Sequence, residues 1–308
     1  MDITIKERFT GCLLGLAVGD ALGAPVEFRK RGSFEPVSCM RAGGKFRLEA
    51  GTWTDDTAMA LCLADSFIEK GLFDPSDQMA RYLRWYMEGY RSCTGVAIGV
   101  GGTIQNAIIR FSCNPEGDPF IGLSGNLAQG NGSLMRLAPV PLMYFGDLES
   151  TIFFSGESSR TTHGSKVCID ACRYLSALIH EALSGKSKAE LKDFEIDDVA
   201  PEIKDVVARS KTHCDENEIE SSGYVLHTLM AALWGFWSTD SYQEGLLKVV
   251  NLGDDADTVG AVYGQLAGAY YGVGGIPEDW LDVLKKGDEV EAVALGLLGL
   301  VGRERVPM

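Results

Sequence analysis

Carboxylates and threonine hydroxyls are concentrated in two short segments, residues 54–57 (Thr-Asp-Asp-Thr) and residues 254–258 (Asp-Asp-Ala-Asp-Thr). Both residue types are common at helix starts, so either segment alone could serve only to cap a helix. Capping uses one or two side chains, however, and adjacent carboxylates repel one another unless cations bind between them. Oxygen ligands without His or Cys favour Mg²⁺ or Mn²⁺ over Zn²⁺. The segments therefore predict a site for two such ions, which activate water and orient an oxygen-rich substrate.

Three other positions carry weaker signals. Glu27 follows a proline at a predicted helix exit and by itself is typical of a protein surface. Residues 130–133, Gly-Asn-Gly-Ser, predict a loop whose backbone N–H groups can face an anion, although a plain turn has the same composition. His163 precedes a predicted helix, where a lone histidine more often has a structural role. These residues form a site only if the fold brings them beside the acidic segments.

The elements that must position these residues are helices. The charged region 186–220 has helical periodicity and is interpreted as solvated helix rather than linker. No strand, glycine-rich turn and helix follow one another, which excludes a Rossmann or P-loop fold. We predict an all-α fold in a single domain over residues 1–308. Apolar residues spaced three and four apart predict helices over 57–69, 79–90, 166–183, 196–207, 224–237 and 281–301.

Glycine is abundant, with 37 glycines in 308 residues against only 10 prolines. Four glycines spaced by four lie in residues 11–23, and four more lie in residues 260–272. Glycine costs about 1 kcal/mol relative to alanine inside a helix. Two such stripes therefore predict helices whose backbones approach closely, in a soluble core rather than in a membrane pair. Both stripes adjoin carboxylates.

The formal charge is −15, from 43 acidic and 28 basic side chains, which argues against general binding to nucleic-acid backbones or anionic membranes. The eight scattered cysteines include no C-x-x-C pair and indicate a reducing compartment. An apolar run at residues 12–18 imitates a signal peptide, but Asp20 interrupts the pattern. We expect a cytoplasmic monomer. Three uncharged stretches contain polar residues or many glycines and favour buried elements over membrane spans: 92–109, 221–239 and 259–277.

Five segments between Arg8 and Gly275 are more specific in combination than any one of them. They read GCLLGLAVGDALGAPVEF, GTWTDDTAM, GNGSLMRLAPVPL, THGS and DDADTVGAVYGQLAGAYYG. In this order they resemble the ADP-ribosylglycohydrolase family, whose bacterial members include the dinitrogenase reductase-activating glycohydrolases. The resemblance implies an orthogonal all-α helical bundle with a binuclear metal cleft that holds two Mg²⁺ or Mn²⁺.

The resemblance also implies roles for individual residues. Glu27 matches a glutamate on a mobile loop near the metals and the scissile bond, and Glu27 or Asp56 is expected to deprotonate or position the attacking water. His163 matches a histidine that lines the pocket for the diphosphate and adjoining ribose. Asp254 and Ala256 differ from common family residues without removing a ligand. The implied metal ligands are Thr54, Asp55, Asp56, Asp255, Asp257 and Thr258, and the implied diphosphate loop is Gly130, Asn131, Gly132 and Ser133.

The implied activity is hydrolysis of the glycosidic bond between ADP-ribose and an acceptor, which reverses ADP-ribosylation through an oxocarbenium-like transition state. One alternative is a non-catalytic ADP-ribose-binding protein of the same fold. Another is a Mg²⁺-dependent all-α synthase that uses a prenyl diphosphate, although the DDxxD spacing of such enzymes is missing after Asp56.

Gly99 is the main departure from the family pattern. Many bacterial relatives have at this position an aspartate that faces the modified residue, whereas this chain has glycine. Metal binding should survive the change. A guanidinium would lose its carboxylate partner, so the substitution argues against a preference for ADP-ribosyl-arginine and favours another linkage, such as serine, or a small molecule.

Residues 29–47 carry six basic side chains and one acidic one within an otherwise acidic chain. This basic segment follows Glu27 and should lie beside the cleft. A solvated loop is the ordinary interpretation of such a charge run. The functional interpretation is a positive lip that attracts the diphosphate or an acidic target protein.

Overall fold

The structure is a computed structural model that describes residues 3–212 and 214–302, except for the side chain of Leu127. Within these residues the chain forms α-helices joined by turns and short 3₁₀ helices, and the paired extended residues are isolated bridges rather than strands. The predicted all-α class is therefore confirmed. The helices are α1 (Ile5–Gly23), α2 (Asp55–Lys70), α3 (Pro75–Glu88), α4 (Gly102–Cys113), α5 (Pro139–Met143), α6 (Leu148–Arg160), α7 (Lys166–Leu183), α8 (Lys188–Asp193), α9 (Pro201–Ser210), α10 (Val225–Trp237), α11 (Tyr242–Val250), α12 (Ala256–Tyr271), α13 (Glu278–Val283) and α14 (Gly287–Leu298).

Local capping explains many of the helix starts. Thr4, Asp74 and Ser165 each accept a hydrogen bond from the backbone N–H three residues later, at the starts of α1, α3 and α7. The predicted helices over 57–69, 79–90, 166–183 and 224–237 are confirmed as α2, α3, α7 and α10, with ends shifted by a few residues.

Two helix predictions are wrong in extent because tertiary contacts override the apolar period. The predicted helix over 281–301 is split into α13 and α14 at Lys285, whose carbonyl accepts from Trp53 Nε1 at 2.8 Å and whose N–H donates to Gly51 O at 2.9 Å. The predicted helix over 196–207 begins only at Pro201, the N1 residue of α9. Residues 186–220 thus contain α8 and α9 with non-helical chain between them, and not one continuous helix.

Helices α1 and α12 form the centre of the fold and pack on each other through both glycine stripes. A Cβ added at Gly15 would collide with the carbonyl of Gly264, and one added at Gly260 would lie 2.5 Å from the carbonyl of Gly19. The two backbones are therefore in direct contact, as the sequence predicted. Tyr242 from α11 donates its hydroxyl hydrogen to Gly15 O at 2.8 Å and fixes the pair from the side.

The segment Ile5–Val26 is long and apolar enough to cross a membrane, yet its apolar window is entirely buried inside the protein. Here the segment is the core helix α1 and the turn that follows it. The buried apolar side chains of the described residues form one continuous cluster around α1 and α12. That cluster brings the exit of α1 against the starts of α2 and α12, where the acidic segments lie.

Substitution of Gly264 by alanine should destabilise the protein, because the new methyl group would meet the α1 backbone and backbone cannot rotate away. We expect a loss of about 2–3 kcal/mol in the free energy of unfolding, measured by chemical denaturation. The control is Gly274→Ala, since a Cβ at Gly274 meets nothing within 4 Å. Equal stability of the two variants would contradict backbone contact between α1 and α12.

Candidate active site

The start of α2 is held by a buried carboxylate from α1. Asp20 accepts hydrogen bonds from the backbone N–H groups of Thr54, at 2.9 and 3.0 Å, and Thr57, at 3.1 Å. It also accepts from the Thr54 and Thr57 hydroxyls at 2.9 and 2.6 Å. Asp20 therefore caps α2, whose N-cap residue Thr54 lies 34 residues later in the chain. The sequence reading missed this role and treated Asp20 only as a charge that interrupts an apolar run.

The start of α12 lies against the end of α1. A Cβ at Gly23 would collide with the backbone of Asp257, so the last glycine of the first stripe lets α1 reach the acidic segment. The ligand atoms of Asp20, Asp56 and Asp257 lie within 4.8 Å of one another, and so do those of Glu27, Asp255 and Asp257. Asp257 belongs to both groups, which makes it the junction of the site.

Apart from Asp255, which is partly buried, these carboxylates are buried, and Asp20 is the one that accepts several of the described hydrogen bonds. Burial raises the pKa of Asp20 to about 6. Burial first, and then the negative charges of Asp255 and Asp20, raise the pKa of Glu27 to about 8, while the positive charge of Lys45 opposes the shift. A cation in the cleft would stabilise the charged forms that burial disfavours. Burial is also the main cause of pKa values well above the ordinary range for Asp55, Asp56 and Asp257.

Glu27 is fixed by the backbone that follows it. Phe28 N–H donates to Asp254 O at 2.6 Å, and Asp254 N–H donates to Arg29 O at 2.7 Å. Phe28 and Asp254 both have positive φ, 61° and 52°, which is rare for residues other than glycine. Backbone hydrogen bonds therefore join the turn that carries Glu27 to the loop that carries Asp255.

A cavity of about 440 Å³ opens beside the carboxylates and brings together most of the predicted site residues. The predicted residues that line it are Glu27, Asp55, Gly99, Gly130, Asn131, Gly132, His163, Asp255, Asp257 and Thr258. Thr54, Asp56 and Ser133 lie behind this lining and are buried. Ser133 Oγ accepts from Ser159 Oγ at 2.9 Å, so the side chain of Ser133 is used within the protein.

The loop at residues 130–133 contacts both the acidic segment and His163. Asn131 Nδ2 donates to Asp255 Oδ2 at 2.6 Å and to Thr228 Oγ1 at 2.8 Å, so Asn131 positions a carboxylate. A Cβ at Gly132 would lie 2.9 Å from His163 Cε1, which explains the need for glycine there. Within residues 3–212 and 214–302, the backbone N–H groups of Gly132 and Ser133 form no hydrogen bond and remain available to an anion.

His163 is a neutral donor at one end of the cavity. Burial, followed by the positive charge of Arg136, lowers the pKa of His163 to about 3. Arg136 donates to Thr162 Oγ1 at 2.7 Å, and that hydroxyl lies 2.9 Å from His163 Nδ1. A hydroxyl that accepts from arginine can donate its own hydrogen to Nδ1, which leaves Nε2 protonated on the side of Gly130.

Gly99 lies against the carboxylate of Asp55. Its φ is +85°, and a Cβ at this position would collide with Asp55 Oδ1. The space into which a side chain at residue 99 would project is thus occupied by the Asp55 carboxylate. This part of the cavity therefore has an acidic group even though residue 99 has no side chain.

Most of the basic segment does not face the cleft. Arg31 donates to the carbonyl oxygens of Glu216, at 2.5 Å, and Ile219. Arg41 donates to Glu35 O at 3.0 Å. Of the basic residues in 29–47, Lys45 is the one that lines the cavity. The expected positive lip is therefore reduced to a single side chain.

These features define a class of protein: an all-α fold with a carboxylate-rich, oxygen-only cleft between helix starts, closed at one end by a glycine loop suited to an anion. The family model described as ADP-ribosylglycohydrolase matches residues 1–306. The chain is 39% identical over 94% of its length to the ADP-ribosylarginine hydrolase Tri1 of Pseudomonas putida (strain GB-1), of which it covers 77%.

A second relative is the ADP-ribosyl-[dinitrogen reductase] glycohydrolase of Rhodospirillum rubrum, 33% identical over 97% of this chain and 98% of that protein. A solved structure described as an ADP-ribosylglycohydrolase-related protein complex superposes with a TM-score of 0.85 at 44% identity, covering 96% of this chain and 98% of that one. This chain belongs to the ADP-ribosylglycohydrolase family, as its motifs predicted.

Substitution of Asp20 by asparagine should weaken the site without touching the cavity wall. The amide nitrogen cannot accept the hydrogen bonds that Asp20 receives, so buried donors on α2 would lose their partner. We expect unfolding free energy to fall by about 2 kcal/mol and Mg²⁺ affinity to fall with it. Denaturation and calorimetric titration measure the two effects.

A double-mutant cycle with Thr57→Val serves as the control, because this substitution removes the hydroxyl that donates to Asp20 at 2.6 Å and keeps the backbone N–H. The two substitutions should be less than additive if Asp20 acts through this helix start. Wild-type stability and Mg²⁺ affinity in Asp20→Asn would contradict the assigned role.

Proposed function

We propose that this protein is a divalent-metal-dependent hydrolase that releases ADP-ribose from an arginine side chain of a modified protein. Family membership supports the reaction class, the hydrolytic reversal of ADP-ribosylation. The observation that carries the metal-dependent mechanism is the position of Asp257, which is shared by two carboxylate groups where α1, α2 and α12 meet.

The donor set fits hard divalent cations. Among the residues described, Glu27 Oε2, Asp56 Oδ1 and Asp257 Oδ1 are buried oxygens without a hydrogen-bond partner. Asp20 already accepts several hydrogen bonds, so we assign it to positioning and assign Asp56 and Asp257 to one ion. Glu27, Asp255 and Asp257 would hold the other.

The remaining predicted ligands lie next to these groups. Thr54 Oγ1 is 3.4 Å from Asp56 Oδ2, and Thr258 lines the cavity together with Asp255 and Asp257. Asp55 lines the same cavity. Oxygen-only ligands favour Mg²⁺ or Mn²⁺. When bound, two such ions would polarise the ribose hydroxyls and lower the pKa of a water molecule.

Other protein groups are assigned to positioning the attacking water and to binding the diphosphate. Glu27 lines the cavity beside Asp255 and Asp257, and Asp56 lies directly behind them, so both are placed to orient the attacking water and take its proton. The N–H groups of Gly132 and Ser133 and the Nε2 of His163 face the diphosphate. Because His163 is neutral, it donates to the diphosphate as a dipole and its contribution does not depend on protonation.

The part of the cavity beside Gly99 and Asp55 is compatible with arginine as the residue that carries ADP-ribose. The relative from Pseudomonas putida is named for ADP-ribosylarginine. Gly99 argued against this acceptor on the ground that no carboxylate would face the guanidinium. Asp55 Oδ1 occupies the space beside Gly99, so this chain can supply an acidic group from a different position. Arginine is therefore the first acceptor to test.

The other interpretations have less support. A prenyl-diphosphate synthase is at odds with the family to which the chain belongs. A non-catalytic ADP-ribose-binding protein would not need the complete set of carboxylates that the cleft retains. We also propose that the protein is a cytoplasmic monomer. Its eight cysteines, which form no disulfide in the described residues, support the cytoplasmic location.

Turnover of arginine-, serine- and nucleobase-linked ADP-ribose at millimolar Mg²⁺ tests the proposal. We expect the arginine-linked substrate to be cleaved at least about tenfold faster, by kcat/KM, than the other two. Binding of ADP-ribose without turnover of any of the three would contradict an enzyme. Faster cleavage of the serine-linked substrate would contradict the acceptor but not the reaction.

Substitution of Asp257 by alanine should abolish turnover, because both carboxylate groups lose their shared member. Activity should fall at least about 10³-fold while circular dichroism shows a folded protein in high Mg²⁺. Asp279→Ala, which removes the same charge from an exposed position on α13, is the matched control. A fully active Asp257→Ala enzyme would exclude the two-metal mechanism.

Substitution of Gly99 by aspartate should reduce activity rather than improve arginine selectivity. The new side chain would displace the Asp55 carboxylate and add a negative charge beside it. We expect lower Mg²⁺ affinity and a lower kcat/KM for arginine-linked ADP-ribose. Gly95→Asp is the matched control, because Gly95 has the same φ of +85° and a Cβ there meets nothing within 4 Å. A more active Gly99→Asp enzyme would contradict this account of the acceptor end.

A further inference from the structure

Lys45 is held at the mouth of the cleft by aromatic rings. Its Nζ lies 4.2 Å from the ring centre of Phe28 and 5.4 Å from that of Phe46, and all three residues line the cavity. Phe28 follows Glu27 directly and is 56% exposed, so the ring stands at the opening. Attraction between a cation and ring faces fixes the ammonium group without neutralising its charge.

The loop that carries Lys45 is firmly attached to the turn before Glu27. Gly43 and Leu48 exchange two backbone hydrogen bonds of 2.9 Å, which close the loop. A Cβ at Gly44 would lie 2.6 Å from Ala24 O and 3.0 Å from Pro25 Cα, so the loop rests on that turn. The position of Lys45 over the cleft is therefore defined by backbone contacts, not only by its side chain.

Among the described residues, the Lys45 ammonium group has neither a hydrogen-bond partner nor an ion-pair partner. Throughout residues 3–212 and 214–302, no carboxylate oxygen lies within 4.0 Å of its Nζ, and no hydrogen bond is formed by its side chain. Other basic side chains of the same segment are occupied, as in the bonds from Arg29 to Ser33 O and from Arg41 to Glu35 O. Because Lys45 forms no ion pair with the nearby carboxylates, its ammonium group is available to bind an anion from outside the protein.

The charges around the cavity indicate that Lys45 would attract the anionic part of a substrate. Among the described side chains that line the cavity, four are carboxylates, one is the cation Lys45 and one is a neutral histidine. Divalent ions would offset the carboxylates but add little attraction for a diphosphate. A diphosphate carries two negative charges, and the N–H groups of the glycine loop provide dipoles rather than a full charge.

We infer that Lys45 binds the diphosphate of the ADP-ribosyl group, with Phe28 and Phe46 holding its ammonium group in place. The inference rests on the proposed function for the identity of the anion. It makes Lys45 a binding residue, distinct from the carboxylates and from the glycine loop, and it gives the two aromatic rings at the mouth a role in orienting that charge.

The test is the affinity for free ADP-ribose, measured by calorimetric titration at saturating Mg²⁺ and at low and high ionic strength. Lys45→Met keeps the apolar stem against the rings and removes the charge, whereas Lys45→Arg keeps the charge. We expect Kd to rise roughly tenfold or more in Lys45→Met, and to remain within about threefold of the wild type in Lys45→Arg. The dependence of Kd on ionic strength should also become weaker in Lys45→Met.

The control is Lys30→Met, which removes one positive charge from an exposed position in the same segment outside the cavity. Its Kd should match that of the wild type. Wild-type affinity in Lys45→Met, or an equal loss in Lys45→Met and Lys45→Arg, would overturn the inference. So would a loss confined to a modified protein substrate, since Lys45 would then contact the acceptor protein. If the wild type bound no ADP-ribose, the proposed function would fail first, and this outcome differs from all the others.

Discussion

Backbone contact between α1 and α12 is the constraint on which the site depends. Because glycines face each other along both helices, the backbone carbonyl groups of each helix lie against the glycines of the other, and no side chain fits between them. The contact runs to Gly23, which lies against the backbone of Asp257. It therefore sets the distance between the exit of α1, which carries Asp20 and leads to Glu27, and the first turn of α12. The glycines of the two stripes are therefore needed to bring the acidic segments together.

The second constraint is electrostatic. The fold buries several carboxylates in one cleft, and burial raises their pKa values because the charged forms lose water. This burial lies where divalent cations, if bound, would stabilise the charged forms. Asp20 differs from the other carboxylates because hydrogen-bond donors at the start of α2 stabilise its charged form. Among the described residues that line the same cleft, Lys45 is the one cation. The carboxylates proposed to hold metal ions are thus separate from the lysine proposed to bind the diphosphate.

Much of this arrangement could be predicted from sequence because its signals are local. The spacing of apolar residues indicated the helices, and adjacent carboxylates indicated the acidic segments that meet in the cleft. What could not be predicted depends on contacts between distant residues. Asp20 caps a helix 34 residues away, and the break between α13 and α14 depends on Trp53, 232 residues before Lys285. The positive charge of the basic segment was evident from the sequence, but the one side chain that reaches the cleft was not. Most arginines of this segment donate hydrogen bonds to backbone carbonyl oxygens instead.

Asp257 is common to the two carboxylate groups that are proposed to hold metal ions. The most direct measurement is the crystal structure of the protein grown with Mn²⁺, with the ions located by their anomalous scattering. The account predicts two peaks, each within about 2.0–2.4 Å of a carboxylate oxygen of Asp257. One ion would lie toward Asp56 and the other toward Glu27 and Asp255. A single peak, or two peaks of which one does not contact Asp257, would contradict the shared-carboxylate site.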